Sequence, residues 1–232
     1  MEERSLAISF GNSLTEEASG IVGEYAELGL DAFVEDGLFK DIPIVSTAVA
    51  VYRIGKSIRE RHHVAKLISF LNQINKGIAD EEKRQTYREK FTSNEKFRNQ
   101  ELEYILILLD RYISFDKPQM LAKLYLAYLD GRILWQEFTM YAEVIDRFLL
   151  LDCRTLTTTA TQTIVHRNLG GESVLRLVAL GLMAEKANNS RVELCEDGEV
   201  IFYGDDINRI SGKTRVYERT EFGEQLATIL RS

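Results

Sequence analysis

Three histidines and two cysteines are the residues of this chain best suited to nucleophilic, acid–base or metal chemistry, and their spacing sets up little of it. His62 and His63 are adjacent, so on a helix they point in different directions and make a poor pair of metal ligands. His166 stands beside Arg167 with no acid near it in sequence. Cys153 lies between Asp152 and Arg154, and Cys195 follows far downstream without metal-ligand spacing; a lone cysteine is more often core filler than a nucleophile. There is no Gly-x-x-x-x-Gly-Lys to cradle phosphate, no Gly-x-Ser-x-Gly and no His-Glu-x-x-His. The sequence therefore predicts a non-enzymatic protein, with no catalytic residue, metal site, cofactor or small-molecule substrate.

Surface chemistry is what remains. From Arg53 to Lys66 the chain carries Arg53, Lys56, Arg59, Arg61 and Lys66 against Glu60 alone, five positive charges minus one negative, or +4. This cluster follows the apolar run from Ile42 to Tyr52, which includes Val45 and Val49. An apolar stretch followed by cations reads as an interfacial membrane helix or a partner surface. The simpler reading, and the preferred one, is a buried helix whose exit carries solvated cations. The run falls short of the roughly 20 residues that span a bilayer and has no tryptophan anchor. Val45, Val49, Arg53, Lys56, Arg59, Arg61 and Lys66 are the candidate residues of that surface.

The second cluster is near the C-terminus: Arg176, Arg209, Lys213 and Arg215. Glu196, Asp197, Glu199, Asp205 and Asp206 oppose it, and from residue 154 onward ten Lys and Arg face eleven Asp and Glu, a net of −1. Nucleic-acid binding gains affinity from cations on phosphates, and this half has no surplus. The whole chain is acidic, with a net charge of −7. That excess keeps a protein soluble and repels nucleic acid overall. Two cysteines give no disulfide framework, and the first residues lack a basic stretch followed by a long apolar one, so a reducing, cytoplasmic location is expected.

The elements that must position these residues are mostly helices. Only two prolines occur in 232 residues, which favours long helices over a many-turned β-sandwich. Thr15 caps an expected first helix to Val34, rich in small residues. Asp41-Ile42-Pro43 starts a fresh helix that continues toward Leu71, with Val64, Leu67, Ile68 and Leu71 at core spacing. Ala79 to Gln100 reads as a solvated helix laced with i,i+4 pairs such as Asp80 with Arg84, broken at Thr92-Ser93-Asn94. Glu101 to Ile113, Gln119 to Leu129 and Ile133 to Leu151 follow as three helices, the second opened by Pro118 and stopped by Asp130-Gly131. The string from Tyr128 to Phe138 is similar to the end of a calcium-binding helix–loop–helix, but it lacks oxygen ligands at alternate positions.

Composition shifts near residue 154. Thr155, Thr157, Thr158, Thr159, Thr161 and Thr163 read as a linker or an irregular connection, because threonine disfavours helix interiors. Beyond it come an apolar helix from Ser173 to Leu182 interrupted by Gly181, strands at Arg191–Cys195, Val200–Tyr203 and Thr214–Glu218, and a final helix capped by Thr220. A helix ending in Leu180-Gly181-Leu182, short strands, then a helix opened by Thr220-Glu221-Phe222-Gly223 resembles the latter part of winged-helix domains, including those of bacterial regulators. It resembles more loosely the C-terminal region of bacterial phage-resistance (abortive-infection) proteins. The resemblance covers Glu172 to Leu230. It implies that the helix from Ser173 would enter a DNA groove, with Arg176, Arg209, Lys213 and Arg215 as the wing contacts. The N-terminal block resembles small uncharacterised bacterial proteins and carries no function across.

The expectation is a mainly α chain: a helical bundle over 1–153 and a small winged-helix-like α+β unit over 154–232. Its expected role is non-catalytic protein contact or self-association, in a bacterial defence or stress setting. DNA binding through the C-terminal unit and membrane-surface contact through 37–66 are the alternatives.

Overall fold

The computed structural model describes residues 5–14, 42–51, 58–78, 80–158, 162–166, 171–186, 190–194, 200–204 and 214–231. The protein is mainly helical there. The chain divides into two compact units, Met1–Asp146 and Arg147–Ser232. The expected helix from Thr15 to Val34, Asp41 of the expected helix start, Cys195, Arg53, Lys56, Arg209 and Lys213 lie outside the described residues.

The first unit is built around a helix the periodicity did not announce. α1, Leu6–Asn12, packs against α2 (Pro43–Val51), α4 (Glu81–Ser93) and α5 (Glu95–Arg111). Its N-cap Ser5 accepts from the Ile8 N–H, and Asn99 Oδ1 accepts from the Ala7 N–H at 2.8 Å. At its other end Ser13 Oγ accepts from the Ile44 N–H at 3.0 Å, and Arg84 donates to the Leu14 carbonyl at 3.1 Å. Phe10 fills the centre, its ring 4.9 Å from that of Phe91 and near those of Phe70 and Tyr125.

Pro43 opens α2, as its fixed φ favours. α3, Ile58–Gly77, buries Val64, Leu67, Ile68 and Leu71 against α6 (Asp116–Leu129) and α5. α4 is only partly solvated: Tyr87 and Phe91 are buried, and Asp80 caps the helix through the Lys83 N–H instead of pairing with Arg84. Arg84 turns inward to Leu14 and Asn75. α5 starts six residues before the expected Glu101, directly after the break at Asn94. Gly131, at φ 73°, stops α6 in a left-handed conformation that suits glycine. α7 spans Trp135–Arg147.

In the second unit the expected single helix to Leu151 is interrupted, and α8 runs Leu150–Thr158. The first part of the threonine run is therefore helical and no linker, while Thr159 and Thr161 lie outside the described residues. Thr155, Thr157 and Thr158 lie in α8, and their hydroxyls donate to the carbonyls of Leu151, Cys153 and Arg154 four residues back. That back-bonding satisfies the hydroxyls within the helix. The run then enters β1, Gln162–His166, and α9 follows at Glu172–Ala179. β2 (Met183–Glu185), β3 (Ser190–Leu194), β4 (Val200–Gly204) and β5 (Thr214–Arg219) precede α10, Glu221–Arg231. One antiparallel sheet has the order β1-β5-β2, and β3-β4 form a separate antiparallel pair. α8 packs on α9 and α10.

Candidate interaction surfaces

The apolar–basic segment does not form one outward surface among the described residues. Val45 is completely buried, together with Ile42, Ile44 and Ala48, because α2 turns this face onto α1. Val49 lies on α2 and its side chain is outside the described set. Lys66 is 3% exposed. Its ammonium donates to the carbonyls of Asp110 at 3.0 Å and Tyr112 at 2.7 Å, groups that a helix C-terminus leaves without intrahelical partners. Burial pulls its pKa down, while Asp110 pulls the other way. Lys66 is thus a helix cap and no surface cation. Arg59 is exposed but bridges to the Asp110 carboxylate, which its guanidinium holds below the usual carboxylate range. Arg61 is exposed. Among the described residues, the end of α5 thus collects Arg59 and Lys66.

The histidines separate as their adjacency requires. His62 stacks on Phe115 with ring centroids 5.1 Å apart. His63 is buried, its Nδ1 without a hydrogen-bond partner and 3.8 Å from Asp110 Oδ1. Burial pushes its pKa down and outweighs the attraction of Asp110. Among the described residues no group of three or more His, Cys, Asp or Glu side chains is placed to hold a metal ion.

In the C-terminal unit, Asp152 organises one end of α8. Its carboxylate is buried and accepts from the Leu149 N–H at 3.0 Å, from Ser173 Oγ at 2.7 Å and from Arg176 at 2.7 Å and 3.0 Å. Burial opposes its charge, yet these donors win and hold the carboxyl below its usual range. Arg176, expected as a wing contact, is turned onto this carboxylate instead. Arg215, another expected contact, is exposed and bridges to Glu185 at 3.0 Å. Cys153 follows Asp152 and is partly exposed.

Asp152 and Leu156 face inward on α8, which turns Leu150 and Leu151 of its first turn outward, and Leu149 stands just before the helix. Leu149, Leu150 and Leu151 are 53%, 44% and 59% exposed, and Leu175 of α9 is 53% exposed. Arg154 lies exposed one turn along from Leu150. The sequence already held this surface as three consecutive leucines. They fall at the end of the expected Ile133–Leu151 helix, which the structure interrupts before Leu150.

Sequence reasoning also missed a buried polar network in the first unit. Glu101 is buried and pairs with Arg98 at 2.5 Å, while the hydroxyls of Tyr125 and Tyr128 donate to its carboxylate. Burial and this carboxylate push the Tyr128 hydroxyl up to about 12. Trp135 and Phe138 stack beside it with centroids 4.7 Å apart. Every carboxylate oxygen has a donor, so the network reads as a packed support for α5, α6 and α7.

Among the described residues no helix is long and apolar enough to cross a membrane. No protein-family model matches the chain, no curated protein matches it, and no solved structure matches it.

Proposed function

We propose that this chain is a non-catalytic protein-interaction protein whose C-terminal unit receives a partner on Leu149, Leu150, Leu151 and Leu175. The observation that carries this reading is the outward exposure of three consecutive leucines beside a fully paired Asp152. Exposed large apolar side chains gathered in one region mark contact sites. Arg154 on the same face suits a partner segment with an apolar stripe and an acid at its edge. The bacterial defence or stress setting rests on the likeness of Leu180-Gly181-Leu182 and Thr220-x-x-Gly223 to phage-resistance proteins, and a cytoplasmic location on the lack of a disulfide framework.

The test is capture of partners by the full chain and by a Leu150→Asp/Leu151→Asp variant. The proposal expects a partner retained by the wild type and lost by the folded variant. A partner set identical for both chains would overturn it.

A winged-helix-like DNA contact is the second reading. It draws support from α9 being followed by antiparallel strands and a final helix. Against it, Arg176 and Arg215 are already paired with Asp152 and Glu185. A DNA mobility shift that weakens steeply with salt would favour it. A membrane role would need the apolar side of α2 to leave α1, and liposome co-sedimentation lost on charging Val45 and Val49 would be its mark.

A further inference from the structure

We draw no further inference here: the strongest candidate, the outer face of α5 and α7, where Ile107 and Met140 are 55% and 56% exposed and the Tyr104 ring meets that of Trp135, is an unpartnered apolar face, and nothing in the structure shows what covers it.

Discussion

The carbonyl of Leu182 lies against Gly223 so closely that a Cβ on Gly223 would stand 1.9 Å from the carbonyl oxygen and 2.8 Å from its carbon. The same contact is tied by Thr220, whose N–H donates to the Leu182 carbonyl at 3.1 Å and whose hydroxyl donates to the Gly181 carbonyl at 2.7 Å. Thr220 Oγ1 also accepts from the Gly223 N–H at 3.0 Å and so caps α10. The two short motifs that carry the C-terminal resemblance are therefore one joint, in which the end of α9 meets the start of α10.

Gly223→Ala should destabilise the C-terminal unit by at least about 3 kcal/mol, because the clash is with backbone and no side chain can rotate away from it. Thr220→Ala should cost about 1–2 kcal/mol through the lost cap. Gly181, at φ 74°, has open space around it, so Gly181→Ala should cost only the conformational strain of roughly 1–2 kcal/mol. Urea denaturation of the three variants checks the order, which fails if Gly223→Ala is the mildest.

That joint was legible in the sequence as residue types, since glycines and a capping threonine announce where elements stop and start. The helix at Pro43, the stop at Gly131 and the strands β3, β4 and β5 were legible for the same local reason. What was not legible depends on distant partners. α1 is held by Asn99, Ile44 and Arg84, all far along the chain. The role of Lys66 as a cap on Asp110 and Tyr112, and of Arg176 as the partner of Asp152, is set by tertiary placement alone. Their charges read as surface because a cation's partner cannot be seen from its own neighbours.

Asp152→Asn should remove the charge that Arg176, Ser173 and the Leu149 N–H converge on. With Arg176 about a third exposed, the pair is partly screened, and a loss of about 1–3 kcal/mol is expected near neutral pH. The folded carboxyl sits below its usual range, so its contribution is complete above the unfolded value, about 4. It is lost as pH falls through the lowered folded value. The stability gap between wild type and variant should therefore close at acid pH. A gap that stays constant from neutral to acid pH would mean the ionised carboxylate is not the source.

His63 should act on the same acid side of the pH profile, but at a higher pH. Buried on α3, it faces Asp110 across a 3.8 Å gap, with Lys66 and Arg59 beside it, and burial holds its pKa below the ordinary value. The unfolded chain then takes up a proton near pH 6.5, about where histidine ordinarily titrates, while the folded chain does not. Stability should be full above that value, decline as pH falls below it, and level off below the folded value. His63→Gln should flatten this stretch of the profile without changing the decline at lower pH. Denaturant midpoints for wild type and variant across the two stretches supply the comparison.

Phe10 tests whether α1 belongs to the core or merely lies on it. Its ring is 1% exposed and stands among Phe70, Phe91 and Tyr125, whereas Ile8 on the same helix is 42% exposed. Removing a buried phenyl ring from a packed cluster loses its transfer energy and leaves a cavity, so Phe10→Ala should cost about 3–5 kcal/mol. Ile8→Ala should stay within about 0.5–1 kcal/mol, the range of an exposed substitution. Thermal or urea unfolding of both variants reads the difference directly. Equal, small losses would show that α1 can leave without disturbing the helices around it. A large loss confined to Phe10 would place this seven-residue helix among the elements that the first unit needs in order to fold.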